Sequence, residues 1–235
     1  MIENNDTGTA FCKVGNLVCN QLINIYYACF TEQLPEKVFH KYLCLLPTDQ
    51  RDQNQRYVRW QDRYLHLYGK LLLIEGLKHF GLSYKELNNL KYNKNDKPFL
   101  KKSSINFNIS HSGNYAICAI CDNIKIGIDI EGVKPINFNN FKRIFTKSEW
   151  AKIEHSNDPF LSFFTFWTRK ESVIKADGRG LSIPLDNIDV VEDIIVYDSK
   201  IWYIKELEII NNYRFSLASN IDNVNIRVIK IDFFK

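Results

Sequence analysis

The sequence predicts an α+β fold built as two lobes of similar size. Helical and strand-like stretches alternate along the chain, and the strand-like stretches are short and separated by polar turns suited to antiparallel pairing. They divide into halves, residues 21–123 and 124–235, with no low-complexity linker between them. At 235 residues, 45% hydrophobic and 14% aromatic, the chain can form one large domain or two small ones of ~100 residues each.

Residues 1–20 carry little pattern and read as a loosely held extension. Leu22 to Phe30 is rich in β-branched and aromatic residues, which predicts a first strand. Pro47 and Thr48 open a helical region, and Asp62 to Phe80 keeps Leu65, Tyr68, Leu72 and Leu77 at helical spacing until Gly81. Ser83 followed by Glu86 predicts a capping box on a short helix ending near Leu90. Strands are expected at Ile105–Ile109, Tyr115–Cys121 and Ile124–Ile130, with a turn at Asp122-Asn123. Thr146 and Glu149 cap one helix, and a second runs from Pro159 to Ala176 and stops at Gly178. The remainder reads as strands: Ile188–Val191, Ile194–Tyr197, Ile201–Ile210, Tyr213–Ala218 and Ile226–Ile231.

A net charge of +4 is mild, well short of the dense basic stripes of a dedicated nucleic-acid binder. No apolar run approaches the ~18 residues of a membrane span. Met1 to Thr9 lacks the basic and apolar regions of a signal peptide, so the chain reads as cytoplasmic. Of six cysteines, only Cys118 and Cys121 are close. On a strand their odd spacing puts the thiols on opposite faces, which argues for buried structural residues rather than a metal clip or disulfide.

Four segments can carry chemistry. In IGIDIEG, alternation sends Ile126, Ile128 and Ile130 to one face and Asp129 and Glu131 to the other, about 6–7 Å apart. Two carboxylates so placed repel unless protons or a cation lie between them, and Mg²⁺ suits them because it completes its shell with water and phosphate oxygens. A solvated edge strand would show the same pattern. In FWTRKESVIKADGRGLSIPL, Glu171 and Lys175 share a helix face, either as part of a metal and phosphate site or as an ordinary surface pair. In NFNISHSGNYA, the run from Ser110 to Gly113 offers hydroxyls, an imidazole and backbone amides to a phosphate, or simply makes a turn. Arg56, Arg59 and Arg63 line one face at helical spacing and, with Lys97, can cradle a polyanion or sit in solvent.

In this order and spacing, NFNISHSG, IGIDIE, FTKSEW and FWTRKESVIKADGRGLSIPL resemble the phosphopantetheinyl transferases of the surfactin-synthetase-activating type. The match is closest over Lys97 to Leu185 and weaker over Leu22 to Gly81, and it is to the long monomeric members. The resemblance implies two pseudo-symmetric lobes, each a small antiparallel sheet packed with helices, with the active site in the cleft between them. It implies transfer of 4′-phosphopantetheine from coenzyme A to a serine of an apo acyl, peptidyl or polyketide carrier protein, with Mg²⁺ as cofactor and 3′,5′-ADP released. Residue by residue, it implies Asp129, Glu131 and Glu171 as metal ligands, Glu171 also as base, and Lys175 facing the pyrophosphate. Ser110 and His111 match positions at the 3′-phosphate end of coenzyme A, Lys97 matches a Lys-Pro beside the adenine, and Glu149 matches a supporting helix acid. Asp96 stands where the family usually has glycine. Leu65 stands where it often has a phosphate-gripping arginine, for which Arg63 is the nearest substitute.

A metal-dependent nuclease or phosphohydrolase is the rival enzyme reading, but it expects an acid and a lysine two apart on a strand. Glu171 and Lys175 are instead four apart on a helix. A non-catalytic binding module would leave the carboxylates without a role.

Overall fold

Strand pairing organises the chain into two four-stranded sheets and one small hairpin in a computed structural model that describes residues 21–234. The extension expected at residues 1–20 lies outside the described residues. In the first sheet, β1 (Leu22–Cys29) pairs antiparallel with β5 (Tyr115–Asp122), which pairs antiparallel with β4 (Ile105–Ser112). The other edge of β1 is taken by β10 (Asn225–Lys230), running parallel with Leu22 opposite Asn225. The last strand, which sequence order groups with the second half, therefore completes the sheet of the first. The second sheet is antiparallel throughout, in the order β6 (Ile126–Gly132), β9 (Tyr213–Ser219), β8 (Lys200–Glu206), β7 (Ile194–Tyr197). A hairpin of β2 (Leu90–Tyr92) and β3 (Pro98–Leu100) stands apart from both sheets.

Helices α1 (Glu36–Leu43), α2 (Thr48–Arg56) and α3 (Trp60–His79) belong to the first half, and α4 (Lys147–Glu154) and α5 (Pro159–Asp177) to the second. Three apolar clusters hold the layers together. One joins α3 to the outer face of the first sheet through Leu72, Leu77, Tyr26, Cys118 and Ile120. A second joins α4 and α5 to the second sheet through Trp150, Phe163, Ile174, Trp202 and Ala218. The third lies between the sheets, where Ile23, Ile25, Ile117 and Cys121 meet Ile126, Ile128, Ile130 and Leu217. Strands β1 and β5 are thus buried on both faces, and Cys118 and Cys121 point into different clusters as their spacing requires. Both thiols are fully buried, and burial holds them protonated, Cys121 being pushed up to about 12.

Several local expectations change in the structure. The helical region after Pro47 is broken: Tyr57 is extended and Arg59 is the N-cap of α3, so Arg56, Arg59 and Arg63 share no helix face. The Ser83–Glu86 capping box does not form. Ser83 accepts from the Lys85 amide while Glu86 accepts from Asn89, and the segment winds as a 3-10 helix, Tyr84–Asn89. Ile188–Val191 is not a strand, and the strand expected to reach Ile210 ends at Glu206. The Thr146–Glu149 capping box forms in full, and Gly178 closes α5 in the left-handed region at φ 87°.

Candidate active site at the seam between the sheets

Strand β4 runs beside β6 at the junction of the two sheets, and side chains rather than a backbone ladder join them. Alternation puts Asn108, Ser110 and Ser112 on the face toward β6. Asn108 Oδ1 accepts the Ile128 amide at 2.8 Å, Ser110 Oγ donates to Asp129 Oδ1 at 2.8 Å, and Ser112 Oγ donates to Glu131 Oε2 at 2.8 Å. Helix α5 packs across β6 on the face that carries Gly127 and Asp129. Gly127 permits that approach, since a Cβ there would run into the Ser172 carbonyl and the Ala176 amide. One turn of α5 then brings Lys175 Nζ to 2.5 Å from Asp129 Oδ1 and 2.9 Å from Ser110 Oγ.

Asp129, Glu131, Glu171 and Lys175 thus form one electrostatic group. Burial raises the Glu171 pKa first and the Asp129 charge next, with Lys175 opposing, so that Glu171 is pushed up to about 7. Glu131 is raised for the same two reasons, partly offset by the Ser112 hydroxyl. Among the described residues, no three His, Cys, Asp or Glu side chains are drawn together closely enough to enclose a metal ion. In this arrangement the Lys175 ammonium takes up one oxygen of Asp129. The donor set still fits a hard divalent cation. Asp129 Oδ2 is buried with no hydrogen-bond partner, and two further carboxyls are held above their ordinary range by burial and then by the Asp129 charge. Asp129, Glu131 and Glu171 are the residues that would hold it.

Beside this group lies a cavity of about 340 Å³ whose wall includes His66, Lys70, Pro98, Ile109 and His111, together with Asp62. Lys70 is 8% exposed. Burial, with partial relief from Asp49, lowers its pKa to about 8. His66 is held neutral, its pKa lowered to about 4 by burial and then by Lys70. Its Nδ1 accepts from Asn54 Nδ2 at 3.1 Å, which places the proton on Nε2, a buried atom with no partner. His66 and Lys70 are four apart on α3, and neither belongs to the motifs that stand out in the sequence. The available signal was a charged residue and an imidazole at helical spacing inside the apolar run LHLYGKLLL. Arg63 does not face this cavity. Its guanidinium donates to the carbonyls of Tyr57 and Gln55, and it borders a separate groove with Phe39, Trp60 and Tyr64. Arg56 is exposed at the end of α2. The structure therefore brings Ser110, Asp129, Glu131, Glu171 and Lys175 together, places His111 on the adjoining cavity, and leaves Arg56 and Arg63 apart.

The supporting residues are held firmly. Glu149 and Lys170 are both fully buried and pair at 2.8 Å, and Glu149 also accepts the Thr146 and Val190 amides. Arg179 bonds Asp177 and Asp198, fastening the GRG loop to the β7–β8 turn. Asp96 adopts φ 61°, a left-handed conformation that glycine takes most easily and Asp tolerates.

The chain is thus a two-lobed α+β protein in which a carboxylate–lysine group lies next to a cavity that carries Lys70 and two histidines, groups with the chemistry to meet phosphate oxygens. The 4′-phosphopantetheinyl transferase superfamily model matches residues 125–214, and the model for the N-terminal part of 4′-phosphopantetheinyl transferases matches residues 34–123. The 4′-phosphopantetheinyl transferase Sfp of Bacillus subtilis is 31% identical over 173 residues, 72% of this chain and 76% of that one. The 4′-phosphopantetheinyl transferase gsp of Aneurinibacillus migulanus is 30% identical over 223 residues, 89% of this chain and 92% of that one. The L-aminoadipate-semialdehyde dehydrogenase-phosphopantetheinyl transferase of Mus musculus is 39% identical over 109 residues, covering 40% of this chain and 35% of that one. The chain belongs to the 4′-phosphopantetheinyl transferase family and is an enzyme.

Proposed function

We propose that this enzyme transfers the 4′-phosphopantetheine arm of coenzyme A to a serine of an apo carrier protein, of the acyl, peptidyl or polyketide type, and releases 3′,5′-ADP. The observation that carries this reading is the meeting of Asp129, Glu171 and Lys175 at the seam, with one buried Asp129 oxygen left unpaired. The coenzyme's anionic end takes the cavity where Lys70, His66 and His111 present cationic and N–H groups. Its diphosphate then lies toward the seam, where Lys175 can leave Asp129 and face the oxygens that gain charge.

The carrier serine attacks the β-phosphorus. A new P–O bond forms to its Oγ, the P–O bond to the bridging oxygen breaks, and that electron pair leaves on 3′,5′-ADP. The serine proton passes to the Glu171 carboxylate, which acts as the base. Mg²⁺ held by Asp129, Glu131 and Glu171 would supply charge neutralisation of the diphosphate. Positioning and electrostatics supply most of the barrier reduction in such transfers. The protein acts as a monomer in the cytoplasm, without nucleic acid or membrane. Both halves contribute to the single seam, Ser110 from one and Asp129 from the other, and among the described residues no helix is long and apolar enough to cross a membrane.

The test is to mix protein, Mg²⁺, coenzyme A and a panel of apo carriers, then read each carrier's intact mass. Modification of at least one carrier, abolished by Asp129→Ala, is expected. Full transfer by Asp129→Ala, or no modified carrier in a broad panel, overturns the assignment.

A further inference from the structure

Lys97 reaches the seam from the first half of the chain, on the hairpin that joins neither sheet. Asn93 shapes its turn: Oδ1 accepts the amides of Asn95 at 2.8 Å and Lys97 at 2.9 Å, while Nδ2 donates to the Gly178 carbonyl at 2.9 Å. The Lys97 ammonium donates to three carbonyls, those of Lys175 at 2.6 Å, Ala176 at 3.1 Å and Ile126 at 3.3 Å. Three protons meet three acceptors. Two acceptors lie in the last turn of α5, where carbonyls lack helical partners and the helix dipole favours a cation. The third opens β6, three residues before Asp129. One side chain of the hairpin therefore fastens the end of the helix bearing Glu171 and Lys175 to the start of the strand bearing Asp129 and Glu131.

We propose that Lys97 is a positioning residue for transfer, an inter-lobe latch that sets the register of α5 on β6 and so seats Lys175 against Asp129 and Ser110. This rests on the transferase reading above, but it assigns Lys97 a different task from the adenine contact that the motif match implies. The two tasks separate kinetically. A lost coenzyme contact raises KM, whereas a displaced Lys175 lowers kcat. They also separate chemically, because a planar guanidinium cannot reproduce three converging bonds from a compact ammonium, although it serves well beside an adenine ring.

The test measures kcat, KM for coenzyme A and amide hydrogen exchange in wild type, Lys97→Met, Lys97→Arg and Asn93→Ala. For Lys97→Met, the latch predicts that kcat falls about 10-fold or more while KM changes less than about 3-fold. Exchange should quicken about 10-fold at amides 174–178 with α3 unchanged. Lys97→Arg should fail to restore kcat. Asn93→Ala should show the same pattern more weakly, which keeps the test open if Lys97→Met does not fold. A raised KM with unchanged kcat, rescue by arginine, or unaltered exchange at 174–178 overturns the latch. If the wild-type protein modifies no carrier, the transferase reading falls, and the exchange measurement alone decides whether Lys97 holds α5.

Discussion

Asp129 holds two demands at once, with Oδ1 shared by Ser110 and Lys175 and Oδ2 buried without a partner. Its neighbour Glu171 registers the resulting field. With a folded pKa near 7, above the ordinary carboxylate value, Glu171 favours folding fully at low pH, and this contribution is lost as pH rises through about 7. In metal-free protein, Glu171→Gln should therefore gain stability over wild type by about 2 kcal/mol at pH 8 and by little at pH 4. Urea denaturation at the two pH values measures this, and an equal effect at both would reject the field. Lys70 makes a second residue-scale prediction. Lys70→Met should raise KM for coenzyme A about 10-fold with a smaller change in kcat, while Arg63→Met should stay within about 3-fold of wild type. Steady-state kinetics with coenzyme A varied decides between them. The acids and Lys175 were legible as residue types at meaningful spacings. Lys70 was not, because only the packing of α3 shows that a lysine in an apolar run faces a cavity instead of solvent.

Helix α5 and strand β6 work as one unit because Gly127 lets their backbones touch. Gly127→Ala forces backbone against backbone, with no flexible side chain to give way. It should cost about 3 kcal/mol and lower kcat together with stability. Normal activity and an unchanged urea midpoint would show that the contact is looser than it looks. The α5 boundaries were readable from Pro159 and Gly178, and the alternation of Asn108, Ser110 and Ser112 was present in NFNISHS. The break between α2 and α3 was hidden, since QRYVRW contains neither glycine nor proline. An unbroken helix there aligned three arginines that the structure separates.

Across the whole molecule, the third apolar cluster and β10 tie the halves together. Isolated residues 21–123 would lose the β10 edge partner of β1 and expose Ile23, Ile25 and Ile117, all fully buried in the whole chain. That fragment should lack a cooperative thermal transition and bind a hydrophobic dye, as unpaired edges and exposed apolar faces do. The full chain should melt in a single step by calorimetry, and an independently folded fragment would show that each half carries its own core. By itself, the sequence determined local matters: the periods that separate helix from strand, the caps at Thr146 and Gly178, and the acid and lysine spacings that carry the family resemblance. Tertiary structure alone decided which distant groups meet. Lys175 reaches Asp129 across 46 positions, Lys97 reaches the end of α5 across 78 and 79, and β10 returns to β1 from the far end of the chain. Such meetings depend on sheet order and the close packing of whole layers, which short-range propensity does not encode.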